Sequence, residues 1–416
     1  MQTAASLALF GSVLAATVTQ TGAPGDRPVV AVTVEGLRRT RPGVVQQWIA
    51  CAVGKPLSSC DLAAIRERLY RLAIFSSVEI TVDDRPAGAA VVIHVEEKWT
   101  LYPVPMLWYS PETQVAGLIL AEGNLLGYNK GLAIGGVWSN LGWYALAGYN
   151  DPNVAYTNLW GDVHAFVGSG TVENDAPHGS VEQSYQMTRF DLECALGWTL
   201  WDRLSPTWNG ALRVARVGAA PVPGSEHATD QTVAVQGLQL IYSNQRYRDL
   251  YDEGLRLSAE VQHGFPLDAR SSAYDAAIFD AKLARPAPAI GFLDARAHAF
   301  VGSMPVVFEE RLGGLDGSRT LPGNGLVAAD RYGSLALAWQ VPVLTVSAGT
   351  ASAVVFAELG RYARNAEPAV TYGGPGAGLR LYLRRVAIPA VGVDLGYEAG
   401  SRRISFSIAV GYRPTR

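Results

Sequence analysis

The sequence predicts two joined folds: a small α+β domain of order β-α-α-β-β over residues 26–98, then an all-β transmembrane antiparallel barrel of about 16 strands over residues 99–416. Three observations predict it. An apolar run opens the chain, helical periodicity is confined to the residues before 99, and strict apolar/polar alternation in strands of about ten residues continues from there to the end.

Composition agrees. With 49% hydrophobic residues in 416 positions the chain is no disordered polymer. Only 17% of residues are charged, below the roughly 25% usual in soluble domains. Glycine (44), tryptophan (10) and tyrosine (18) are plentiful, as in a barrel with aromatic girdles. A net charge of -3, with lysine only at Lys55, Lys98, Lys130 and Lys282, leaves no basic block for nucleic acid.

Residues 1–25 read as a signal peptide and linker. The apolar stretch 4–18 is too short to span a bilayer as a helix and has the length of a secretory core, with Ala15 or Ala16 as cleavage points. Its n-region lacks Lys and Arg, so a plain buried helix is the alternative. The uncharged stretch 332–357 is broken by Pro342, Ser347 and Gly349 and reads as two strands and a turn.

In the α+β domain, Val30, Val32 and Val34 mark the first strand. The first helix follows Thr40 as its cap, has Pro42 and Gly43 in its first turn, and carries Val44, Val45, Trp48 and Ile49 on one face. The second begins after Ser59 or Asp61, with Leu62, Ile65, Leu69 and Leu72 at three-and-four spacing. Strands 78–82 and 90–95 form a hairpin through Asp83, Asp84, Pro86 and Gly88. Cys51 and Cys60 flank a Gly54-Lys55-Pro56 turn and would pair in an oxidising compartment; otherwise they are two small thiols near a helix end. The third cysteine, Cys194, shares the parity of Phe190, Leu192 and Leu196, an outward position rather than a nucleophile.

The barrel strands alternate plainly. Leu255, Leu257, Ala259 and Val261 oppose Arg256, Ser258, Glu260 and Gln262; Leu379, Leu381 and Leu383 oppose Arg380, Tyr382 and Arg384. Ile404, Phe406, Ile408, Val410 and Tyr412 oppose Ser405, Ser407, Ala409 and Gly411. In lipid an open sheet edge leaves backbone groups unsatisfied at several kcal/mol each, so the sheet should close around a wet lumen. Connections predicted to be long (169–184, 219–229, 302–330) contrast with short ones such as 266–271, which are read as extracellular loops and periplasmic turns. Pro103 and Pro105, two apart, lose their N–H groups on one edge. That edge is expected to face residues 404–412, including Phe406 and Tyr412, across a gate seam with few hydrogen bonds. The alternative is that the prolines merely link the two folds.

Enzymatic chemistry finds no footing. His94, His164, His178, His227, His263 and His298 show no metal spacing, and there is no G-x-S-x-G, Walker or H-E-x-x-H pattern. His298 shares the parity of Asp294 and Arg296 and should line the lumen. The expectation is a non-enzyme without cofactor or metal.

The β-α-α-β-β unit with Leu69-Tyr70, Phe75 and Val78 resembles a POTRA domain of the BamA/TamA outer-membrane assembly family, also called the bacterial surface antigen family. Gly123-Asn124-Leu125-Leu126-Gly127 followed by Gly131 is similar to that family's second and third barrel strands. Gly313-Gly314-Leu315-Asp316-Gly317-Ser318-Arg319 resembles the approach to its loop motif, whose arginine points back into the lumen. Thr320 and Leu321 stand where the family shows glycine and an aromatic. The chain runs on past Tyr412 as Arg413-Pro414-Thr415-Arg416, where the family's last strand ends on an aromatic; that leaves Tyr412 as the assembly-recognition residue. Only one POTRA-like unit is present.

The resemblance implies a lumenal latch in which Arg319 meets an acid of a nearby strand, Glu358 or Asp394; the alternative is a surface arginine. Asp394 has lumenal parity, whereas Glu358 shares parity with Phe356. It also implies an outer-membrane protein of a Gram-negative-type bacterium, with the N-terminal domain in the periplasm. Its partners would be client outer-membrane or secreted polypeptides, periplasmic proteins and the lipid bilayer. Captured clients would be inserted or exported through the seam. The alternatives are a passive or lipid-conducting channel, a dedicated two-partner secretion transporter, and a surface antigen without transport.

Overall fold

The computed structural model describes residues 27–410 except 73, 110–112, 176–180, 202, 220–227, 248–250, 288–289, 313–317, 322–327, 364–367 and 384–388. The expected signal segment, Tyr412, His178 and His227 therefore lie outside the described residues.

The N-terminal unit is β1 (Val29–Glu35), α1 (Pro42–Gln46), α2 (Leu62–Arg71), β2 (Phe75–Arg85) and β3 (Gly88–Glu97), with sheet order β1-β3-β2 and β1 parallel to β3. The two helices fold back over the sheet: Val44, Val45, Ile65 and Leu69 pack with Val29, Phe75, Val78, Val91, Ile93 and Val95 in one buried core. Asp61 caps α2, accepting from the Ala64 amide at 2.9 Å. Thr40 does not cap α1; Arg41 occupies that position, without a side-chain cap. The hairpin between β2 and β3 is also tighter than expected, because Asp83 and Asp84 remain in the ladder and the turn narrows to Pro86 and Ala87. Cys51 and Cys60 are bonded, with Cα atoms 4.9 Å apart, tying the end of α1 to the approach of α2.

After a short linker come the strands β4 (Leu101–Tyr109), β5 (Gln114–Glu122), β6 (Gly131–Ser139), β7 (Gly142–Asp151), β8 (Leu159–Asp175), β9 (Val181–Trp198), β10 (Leu204–Val217) and β11 (Gln231–Ser243). They continue as β12 (Asp252–Pro266), β13 (Tyr274–Pro286), β14 (Phe292–Gly302), β15 (Arg331–Val346), β16 (Gly349–Ala363), β17 (Val370–Leu383), β18 (Pro389–Glu398) and β19 (Arg403–Val410). Each pairs antiparallel with the next, and β19 closes on β4, so these 16 strands form a closed barrel.

Alternation sorts the two faces as expected. Leu335, Leu337, Leu379 and Leu395 point outward and are exposed, while Arg213, Asp191, Arg380 and Asp394 are buried within the wall's inner side. His298 is lumenal, its Nδ1 2.6 Å from Asp280 Oδ1. Strand length departs from the uniform ten: β8 has 17 residues and β9 has 18, so their ladder extends through most of the loop expected at 169–184. The connection after Pro266 is a second departure. Leu267 N donates to Thr232 O at 2.9 Å, which puts this turn at the same end as the long 218–230 connection. A short connection predicts a near-side turn; here β12 runs away from the N-terminal unit, so its turn lies at the far end.

Candidate functional site at the seam and the lumenal loop

The closing seam is staggered. Between β19 and β4 the described residues register Ile408 with Tyr109, Ala409 with Trp108 and Val410 with Leu107. The β4–β5 hairpin closes at Tyr109–Gln114, so Ile408 already sits opposite its last residue and Arg403–Ser407 run past the end of β4. β19 is described only to Val410, so the ladder beside residues 101–106 lies outside the described residues.

Pro103 and Pro105 lie on this strand, facing outward. The β4–β5 ladder runs unbroken past both. Phe406 faces outward, whereas Ser405 faces the lumen.

Ser405 meets the lumenal loop. Between β14 and β15, residues 318–320 lie inside the barrel, with Arg319 Nε 2.8 Å from Glu358 Oε1 on β16. Its guanidinium stacks on Phe356, 3.6 Å from the ring centroid. The same carboxylate accepts from the amides of Arg319 (2.9 Å) and Thr320 (3.2 Å) and from the hydroxyls of Ser318 and Thr320. A buried charge with that many donors is compensated on both sides. The loop also reaches the last two strands: Ser405 Oγ donates to Arg319 O, and Gly396 leaves room that a Cβ would fill at 2.3 Å from that oxygen.

Of the two acids expected beside Arg319, the structure brings in only Glu358. Asp394 is held by Arg380, whose Nη2 reaches both carboxylate oxygens at 2.8 Å. The parity reading of Glu358 misled because it took Phe356 for an outward residue. Both are lumenal, Phe356 buried and Glu358 half-buried; the outward residues of β16 include Val355, Ala357 and Leu359. Sequence reasoning missed Ser405, Gly396 and Phe356 as loop contacts. It had placed Arg380 on the polar parity of its strand, and pairing that strand with the next, which sets Gly378 against Asp394, would have revealed the competing partner.

At the end away from the N-terminal unit the loop packs against the inner side of the wall. Met304, Val307 and Phe308 of the loop pack against Val172, Tyr185, Val233, Tyr274, Ile278 and Phe300 of the wall. Arg189 lies under the Phe308 ring at 5.4 Å and is paired through Nε with Asp191 at 2.6 Å. Among the described residues no group of His, Cys, Asp or Glu is arranged to hold a metal ion.

No family model matches the chain, and no curated protein matches it in sequence. Solved structures do match in fold. BamA from Haemophilus ducreyi, lacking POTRA domains 1–3, superposes with a TM-score of 0.64 at 12% identity, over 92% of this chain and 84% of that one. CdiB from Escherichia coli gives 0.65 at 14% identity over 92% and 76%, and CdiB from Acinetobacter baumannii gives 0.63 at 11% identity over 92% and 74%. At these identities the likeness is one of fold.

Proposed function

We propose that this chain is an outer-membrane protein that inserts or exports polypeptides. Residues 26–98 act as a single periplasmic POTRA-type domain that captures an extended client along a free sheet edge, and the barrel passes the client to lipid or to the surface through the β4–β19 seam. The observation that carries this reading is the stagger of the closing seam, where residues 403–407 of β19 run past the end of β4 and leave that edge without a ladder partner among the described residues. The outward leucines support membrane embedding, since so much exposed apolar surface around a closed barrel suits lipid rather than water. The fold shared with BamA and CdiB supports the same reading.

A passive channel fits less well, because loop side chains pack against the wall inside the far end of the lumen. The latch of Arg319 on Glu358 serves to hold that loop inside. The test is a staple across the seam at a registered pair, Leu107→Cys with Val410→Cys in a Cys194→Ser background, in proteoliposomes supplied with unfolded outer-membrane clients. Stapling should abolish client insertion, while either cysteine variant alone, with Cys51–Cys60 left oxidised, should retain it. A stapled protein as active as the single variants removes the seam from the mechanism. Steady ion conductance without client insertion would favour the channel.

A further inference from the structure

The first barrel turn at the domain end, between β5 and β6, is built differently from the turn between β7 and β8. The two share a frame. Glu122 Oε1 accepts from the Asn124 amide at 2.7 Å, and Asp151 Oδ1 accepts from the Asn153 amide at 3.2 Å. Each continues into a single 3-10 turn, Leu125–Gly127 or Val154–Tyr156, with a left-handed residue at its centre, Leu126 (φ 52°) or Ala155 (φ 51°). Within that frame the asparagines are used in opposite ways. Asn153 Nδ2 donates to Thr157 O, inside its own turn, at 2.9 Å. Asn124 closes its turn through Oδ1, which accepts from the Asn129 amide at 2.7 Å, and turns Nδ2 outward to Thr40 Oγ1 of the N-terminal unit at 3.0 Å.

The rest of the first turn follows Asn124. Gly127 (φ +81°) lies so near the N-terminal unit that a Cβ would be 2.0 Å from Arg39 O, and its carbonyl accepts from the Arg41 amide at 2.8 Å. At the equivalent place the second turn has Tyr156, which also touches the domain, but only through its side chain: its hydroxyl would lie 3.4 Å from a Cβ at Gly43, and the described residues show none of the first turn's backbone approach. Arg39 Nη2 pairs with Glu122 at 3.3 Å, and the Arg41 guanidinium lies over the Tyr128 ring at 5.5 Å. On the other side Thr40 is fixed by its own domain: Glu97, the last residue of β3, accepts from the amides of Arg38, Arg39 and Thr40 at 3.1, 2.9 and 2.8 Å. Asn124 and Thr40 are both buried.

We infer that the Glu122–Asn129 turn is a docking socket for the domain's own loop 36–41, and that the socket makes the domain one rigid body with the strands beside the seam. The partner is intramolecular, and its chemistry is specific: a buried hydroxyl for Asn124, an amide for the Gly127 carbonyl and a guanidinium for Glu122. The inference stands whether or not the barrel transports anything. It assigns Asn124-Leu125-Leu126-Gly127 a role between the two folds, beyond shaping a barrel turn.

The test uses the full-length, Cys194→Ser protein in nanodiscs, spin-labelled at Glu67→Cys on α2 and Arg203→Cys in the third domain-end turn, with the label-to-label distance read by pulsed electron resonance. The intact protein should give one narrow distribution. Gly127→Ala, which puts a Cβ into the Arg39 carbonyl, and Thr40→Val, which changes no barrel residue, should each at least double its width. Ser139→Ala, which breaks an internal bond of the β6–β7 turn at the far end of the barrel, should leave it unchanged. Folding of the barrel is read by its heat-dependent gel mobility. If Gly127→Ala fails to fold, Thr40→Val decides alone. A broad distribution in the intact protein, or a narrow one in Thr40→Val, overturns the inference.

Discussion

The N-terminal unit and the barrel use the same two-residue period in opposite senses. In β3, Val91, Ile93 and Val95 point into a core that the helices cover; in β17, Leu379 and Leu381 point out while Arg380 is buried against Asp394. Alternation therefore specifies a strand with two unlike faces and is silent about which face meets solvent. What decides is whether helices exist to cover the apolar face. Residues 42–71 supply them for the first sheet, and no described element lies over the second.

That contrast can be broken experimentally, and the largest effect should come from its buried charges. Asp394→Ala strands Arg380 in the wall and should cost about 3–5 kcal/mol, read as a lowered urea midpoint of the reconstituted barrel. Ile93→Ala should cost about 2–5 kcal/mol in the N-terminal unit alone, seen in its thermal transition while the barrel's gel mobility is unchanged. Leu337→Arg places a charge on the outward face and should cost about 2–4 kcal/mol if that face lies in lipid near the bilayer midplane. Near-neutrality there would mean the barrel faces water. Asp61→Ala removes a helix cap and should cost about 0.5–2 kcal/mol, confined to the domain.

The smallest effect is one of pH, at the loop that joins the two regions. Burial raises the Glu97 carboxyl, but hydrogen bonds from Thr40, Arg39 and Arg38 outweigh it and hold the group below the usual carboxylate range. A lowered folded value means that its contribution is complete above the ordinary carboxylate value and is lost as pH falls through the lowered one. The carboxyl carbon of Glu97 should titrate below an exposed glutamate in NMR, and Thr40→Val should move it back upward. Neighbouring Lys98 shifts by desolvation alone, its ammonium lowered to about 8, so its buried charge is a cost below that pH and disappears above the ordinary lysine value.

Much of the fold was legible because both periods are local. Leu62, Ile65 and Leu69 announced α2, and β12 and β19 carry the alternation read from the sequence. What escaped depends on register between strands far apart in sequence. The stagger at Tyr109 and Ile408, the capture of Asp394 by Arg380 and the lumenal placement of Phe356 are each set by which residue lies across the ladder. Thr40 was misread for a related reason. A helix cap is a local signal, and here the hydroxyl serves a turn 84 residues away.

The pinning of the lumenal loop at Ser318–Thr320 has a consequence for how such a chain can vary. A loop tied down only at its ends is one closed segment, whereas one also fixed at its middle is two shorter segments, each with its own closure entropy. Doubling a flexible segment costs only about 0.6 kcal/mol, so what limits this loop is its packed points rather than its length. Those points are Met304, Val307, Phe308 and Leu312 as well as the pin. Residues 318–320, Glu358 and Gly396 have to keep their geometry together, so length can drift only between fixed points, and the pin cannot itself move alone.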